Sequence, residues 1–86
     1  MINIELKDRS EGPVYVQVRD QLDALIRSKQ IASGDQLPAP ASLGQQLSVD
    51  RGEIQRAYFE LEHSGLITKT SRKDFLGKVV IKYLVN

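Results

Sequence analysis

The first seven residues alternate in character. Ile2, Ile4 and Leu6 fall on one side, and Asn3, Glu5 and Lys7 on the other. A period of two is the mark of a half-buried strand, so the pattern predicts a short N-terminal strand, ended by the turn-forming residues from Asp8 to Gly12. The period then lengthens. Val14, Val18, Leu22, Leu25 and Ile26 recur at helical spacing, with Pro13 at the first turn and Arg27 and Lys29 near the end, where cations suit the helix dipole. Gly34 and Pro38 break the chain again, since proline disfavours helical conformation at Leu37. A second, short helix is expected from Pro40 to Leu47, with Leu43 and Leu47 one turn apart. Gly44 lies inside it at a cost of about 1 kcal/mol relative to alanine, which implies a neighbour passing close by.

The third helical pattern is the best defined. Asp50 stands at the N-cap position with Glu53 three residues on, the spacing of a capping box. Ile54, Ala57, Tyr58 and Leu61 form the apolar stripe, and Gly65 is the expected left-handed residue after the last turn. Gln55, Arg56, Phe59, Glu60, Glu62 and His63 occupy the other face. Two strands follow, "LITKT" and "GKVVIKYLV", with "SRKDFL" between them as a hairpin with a basic tip. The nearly unbroken apolar run of the last strand predicts burial on both faces or an additional partner. Strand, three helices and two strands make an α+β chain. Its fold is a winged helix-turn-helix: a three-helix core and a small antiparallel sheet made of the N-terminal strand plus the C-terminal hairpin. The reading helix is expected at about 50–64 and the wing at about 66–82, within a single domain of residues 1–86.

Composition narrows the chemistry. Eighty-six residues make one domain with a modest core. With no cysteine, thiolate metal sites and disulfides are excluded, and one histidine leaves no metal pair. No glycine-rich phosphate loop is present, and Ser42, Ser48 and Ser71 have no general base beside them in sequence, so neither an enzyme nor a cofactor is expected. No apolar run reaches the roughly 20 residues of a membrane span, and no signal peptide is visible. A cytoplasmic location without membrane contact is the expectation. Net charge is only +1. Residues 1–50 carry five Lys/Arg against seven Asp/Glu, and residues 51–86 carry seven against four. The basic half therefore contains the third helix and the hairpin, which implies a local anion-facing surface.

"GPVYVQVRDQLDALI" and "SGDQLPAPASLGQQLSVDRGEIQRAYFELEHSGLI" resemble the DNA-binding domain of the GntR family of bacterial transcriptional regulators. The resemblance is carried by Pro13, Tyr15, Gln17, Val18, Leu22, Gly34, Asp35, Leu37, Pro38, Leu43, Leu47, Val49, Arg51, Ala57, Leu61, Gly65 and Leu66. It implies a winged helix that binds a double-stranded DNA operator as a homodimer. Family members usually carry a larger effector-sensing domain, so the resemblance implies either a piece of a longer parent chain or a short stand-alone relative; no effector-binding domain is expected within these residues. The contact positions depart from the family pattern. Ala39, Pro40 and Ala41 stand where the family has Ser-Glu-Arg, and Asp50 to Gln55 where it has Ser-Arg-x-Thr-Val-Arg. Residues Ser71 to Phe75 replace a Gly-x-Gly-Thr wing tip.

The DNA-contacting candidates follow. Arg51, with Gly52 beside it, sits at a helix start where the dipole disfavours a cation, so a guanine edge or a phosphate is the reason to have it. Gln55, one turn on, either reads adenine or is a solvated residue. Arg56 either touches phosphate or pairs with Glu60. Arg72 and Lys73 at the hairpin suit a phosphate ridge or a minor groove, with Lys69 and Lys78 flanking the same track. Glu53 is read as a cap, satisfied internally. A second class of function is a protein-interaction module working through Phe59 and the apolar last strand.

Overall fold

The computed structural model describes residues 3–86. Its regular elements are α1 (Val14–Arg27), β1 (Gln36–Leu37), α2 (Pro40–Leu47), α3 (Arg51–His63), β2 (Ile67–Lys73) and β3 (Val79–Val85), preceded by a 3-10 turn at Arg9–Glu11. The three helices fall where the apolar spacing puts them. Val18, Leu22 and Ile26 of α1, Leu43 of α2, and Ile54, Ala57, Tyr58 and Leu61 of α3 are buried together. Tyr58 lies at the centre. Its hydroxyl donates to the Pro38 carbonyl at 2.8 Å, and its ring meets that of Tyr83 edge-on at 4.8 Å. Burial pushes its phenol well above the ordinary range.

The sheet differs from the sequence expectation. Its order is β1-β3-β2, all antiparallel, and the third strand comes from the α1–α2 connection. Gln36 and Leu37 pair with Leu84 and Tyr83. Two residues before a proline give no periodic signal, yet Leu37 is buried opposite Tyr83 and fastens the strand. The segment from Asn3 to Lys7 forms no strand; Ile2 lies outside the described residues. Its alternation correctly marks what is buried, since Ile4 and Leu6 pack on the core while Glu5 and Lys7 face solvent. The backbone partners are side chains of α1. Gln21 accepts from Glu5 N at 3.0 Å and donates to Glu5 O at 2.6 Å. Gln17, itself buried, accepts from Lys7 N at 2.7 Å and donates to Gly12 O at 2.8 Å. Amide side chains carry one acceptor and two donors, so two glutamines one turn apart substitute for a neighbouring strand.

The last strand also departs from expectation. Only Tyr83 and Val85 of β3 are buried; Val79, Val80 and Ile81 are exposed, because the distal half of the hairpin extends past the core. In the turn between α2 and α3, Ser48 takes a left-handed conformation (φ 58°) and Val49 N donates to Gly44 O at 2.8 Å. A Cβ on Gly44 would stand 2.8 Å from the Val49 carbonyl oxygen and 3.3 Å from Arg51 Cα. The neighbour that excludes a larger residue at Gly44 is therefore the turn itself and the start of α3.

Candidate nucleic-acid interface

The start of α3 is fixed from two directions. Asp50 accepts from Gly52 N at 3.3 Å, a single-bond cap. Gly52 leaves the cap room, for a Cβ there would come within 2.8 Å of the Asp50 carboxylate. Glu53 does not complete a capping box. Its carboxylate accepts from Tyr15 N at 3.0 Å, in the first turn of α1, where the positive end of that helix receives it. It is satisfied internally, but by a neighbouring helix. Two turns further, Glu60 pairs with Arg19 of α1 at 2.5 Å. Glu60 and Asp20 together hold the Arg19 guanidinium in its charged form beyond its ordinary range. This overturns the Arg56–Glu60 pair as an option. Arg56 instead lies over the Tyr15 ring, 4.0 Å from its centroid. A guanidinium stacked on an aromatic face keeps its N–H groups free at the edge.

These bonds engage three of the four carboxylates in the basic half, all but Glu62. Glu53 and Glu60 are turned towards α1. The half-buried Asp74 accepts from Leu76 N and Lys78 N inside the hairpin loop. The cations are left outward. Arg51, Arg56, Lys69, Arg72, Lys73 and Lys78 are all exposed, and among the described residues none of them enters an ion pair.

Helix and wing meet in one groove, lined by Gln55, Arg56, Phe59 and Glu62 of α3 with Lys69 and Tyr83 of the sheet. Gln55, Arg56 and Lys69 are thus brought together, while Arg51 and Gly52 occupy the exposed first turn of α3. Register decides the wing. Lys69 opposes Tyr83 and Lys73 opposes Val79, so both stand on the sheet face turned to α3. Arg72 opposes Val80 and by register stands on the other face; its pocket is lined by Val80, Lys82 and Leu84 and is bordered by Lys73 as well. The sequence reading set Arg72 and Lys73 at the hairpin tip; both belong to β2. The five-residue tip is Asp74 to Lys78, which includes the candidate Lys78, and strand pairing through Lys73–Val79 moves the turn beyond the basic pair. Lys82 was missed by sequence reasoning. Its signal is the alternation Lys78, Val80, Lys82 on a strand that reads as apolar throughout. Arg19 was missed as well, for its role depends on Glu60, 41 residues away.

Three helices with a left-handed turn before the third, and a hairpin standing beside that third helix, define a winged helix-turn-helix module. The family model described as "Bacterial regulatory proteins, gntR family" matches residues 14–75, from the start of α1 to the wing tip. The chain belongs to that family.

Among curated relatives, it is similar to the uncharacterized HTH-type transcriptional regulator YhcF of Bacillus subtilis (strain 168), with 31% identity over 71 residues, covering 81% of this chain and 59% of YhcF. It is also similar to the HTH-type transcriptional repressor YtrA of the same organism, with 31% identity over 64 residues, covering 74% of this chain and 49% of YtrA. The chain thus spans 49–59% of the length of these relatives. Among solved structures, YtrA from Sulfolobus acidocaldarius, a GntR-family transcription factor, superposes with a TM-score of 0.77 at 29% identity, covering 99% of this chain and 79% of that one. The DNA-binding domain of AraR, solved in complex with operator ORX1, shares the fold with a TM-score of 0.69 at 22% identity, covering 99% of this chain and 93% of AraR's. Among the described residues, no helix is long and apolar enough to cross a membrane.

Proposed function

We propose that this module reads operator DNA, with the first turn of α3 in a major groove and the β2–β3 wing on the adjacent backbone. The observation that carries the reading is the sorting of charge around α3. Glu53 and Glu60 are turned inward to α1 and Asp74 into the wing loop, which leaves Glu62 as the one carboxylate of residues 51–86 in the groove, while Arg51, Gln55, Arg56 and Lys69 face outward around the start of α3 and its groove. In this reading Arg51 contacts a guanine edge or phosphate, Gly52 lets the backbone approach, and Gln55 reads a base. Arg56, Lys69 and Lys73 contact phosphate on the α3 side, Lys78 at the wing tip, and Arg72 on the far side of the wing. The operator-bound AraR domain supports the use of this fold on duplex DNA. We place the parent regulator in the cytoplasm as a homodimer on a two-fold operator, with effector sensing outside this module, and α3 spaced one helical turn from its partner.

The test is a titration against genomic fragments at low and moderate salt. A subset of fragments retained at moderate salt is the expected result, and equal binding of all fragments at both concentrations contradicts it. Exposed Phe59, Val79, Val80 and Ile81 favour a second reading, in which the wing docks on a protein. Absence of any DNA binding at low salt would select it.

A further inference from the structure

The wing ends in two side chains that the turn itself does not need. Phe75 is 95% exposed and Leu76 71%. The loop around them is built by their neighbours. Asp74 Oδ1 accepts from Leu76 N and from Lys78 N, each at 2.9 Å. Asp74 N donates to Lys78 O at 2.9 Å, and Gly77, at φ 82°, donates to Asp74 O at 3.0 Å. Four bonds within five residues hold the backbone of Phe75 and Leu76 at a defined apex. An apolar apex that is held in place and left in water is organised for a contact outside the chain.

Its position and surroundings narrow the partner. The last core contact of β3 is Tyr83, and residues 79–82 are exposed. At about 3.4 Å per residue the Lys73–Val79 pair stands roughly 14 Å beyond that contact, and the apex lies further out. Arg72, Lys73 and Lys78 surround the apex, and the one nearby carboxylate, Asp74, is folded into the loop. An apolar point inside a cationic collar matches a partner whose apolar interior lies behind an anionic rim. Duplex DNA has that construction, with the base stack behind two rows of phosphate. The same hairpin begins at the groove it shares with α3, so a duplex engaged by α3 runs past the apex. A minor groove is about 6 Å wide and about 7.5 Å deep. Two strands about 4.8 Å apart, with side chains on both faces, are too broad to enter it. The apex side chains reach its floor first.

We propose that Phe75 and Leu76 form an apolar wedge that enters the minor groove next to the α3 site, partly unstacks one base step and kinks the duplex. The proposal rests on the DNA reading above. Apolar side chains inserted between base steps open the groove and bend the helix away from the protein. Pyrimidine–purine steps unstack most readily, so the wedge adds selectivity for such a step at a position where no hydrogen bond reads the base.

The experiment selects duplexes from a random-sequence library with this chain. The selected duplex then carries 2-aminopurine at successive steps of the flanking minor groove, and a dye pair at its ends reports bending. The expected result is a several-fold rise in 2-aminopurine emission at one step on binding, with a shortened end-to-end distance. The Phe75→Ala/Leu76→Ala double variant loses both signals and binds about tenfold or more weakly. Arg51→Ala serves as the control for reading by α3, because it weakens binding wherever the wing goes. If the double variant binds and bends the duplex as the wild type does, the wedge is wrong and the DNA reading stands. If the wild type selects no sequence, reading and wedge fall together. If the double variant leaves DNA behaviour unchanged but lowers the sedimenting mass, or abolishes binding to phosphatidylglycerol vesicles, the apex serves a second copy or a lipid surface and the wedge is overturned.

Discussion

At the residue scale, Arg51 and Tyr58 show how differently one helix uses its two faces. Arg51 is exposed at a helix start, where the dipole works against it, and among the described residues no carboxylate pairs with it. Nothing in the fold depends on its charge. Arg51→Ala is expected to leave stability unchanged and to weaken binding to a selected duplex by about 1–3 kcal/mol, read in a fluorescence-anisotropy titration. Tyr58 is the reverse, buried and hydrogen-bonded to the Pro38 carbonyl. Tyr58→Phe leaves that acceptor without its donor and is expected to cost about 1–2 kcal/mol in urea unfolding. Burial raises the folded-state pKa of Tyr58 above its ordinary value, about 10 in an unfolded chain. The folded state then holds its proton longer than the unfolded state does. Its contribution is complete below about pH 10 and is lost progressively above it. The urea midpoint of the wild type should therefore fall between pH 9 and pH 11 by more than that of Tyr58→Phe, and equal declines would assign the alkaline loss elsewhere.

At the element scale, the decisive feature is the turn joining α2 to α3. Gly44 touches the carbonyl of Val49 and the backbone of Arg51, so the distance between the helices is set by the absence of a side chain. Alanine gains about 1 kcal/mol of helix propensity there. Against this, a Cβ at 2.8 Å from a backbone oxygen forces α2 and α3 apart, which costs about 1–3 kcal/mol. Gly44→Ala is expected to be destabilising on balance in a thermal melt and to weaken duplex binding, since the first turn of α3 moves with the turn. The N-terminal segment shows the limit of pattern reading at this scale. Its alternation identified the buried residues, but a period of two does not say whether the backbone pairs with a strand or with Gln17 and Gln21. Hydrogen-bond partners from distant parts of the chain carry no local periodicity.

At the scale of the whole molecule, a net charge of +1 conceals a sorted surface. If the exposed cations of α3 and the wing meet phosphate, log K against log salt should slope steeply despite the near-neutral total, by about 0.9 for each phosphate neutralised. Replacing Lys69, Lys73 or Lys78 singly by alanine should reduce the slope by about one each, with little change in sequence preference. An unchanged slope for any of them removes that residue from the interface. By itself the sequence determined the three helices, the Asp50 cap, Gly44 and Gly65, the buried stripe and the family. These depend on spacing within one or two turns, which neighbouring residues fix among themselves. Tertiary structure alone decided that Glu53 and Glu60 serve α1, that Leu37 supplies the third strand, and that Arg72 and Lys73 face opposite sides. It also decided that Phe75 and Leu76 cap the wing. Each of these turns on which partner wins a hydrogen bond or a strand edge, and that competition is settled only when the whole chain has packed.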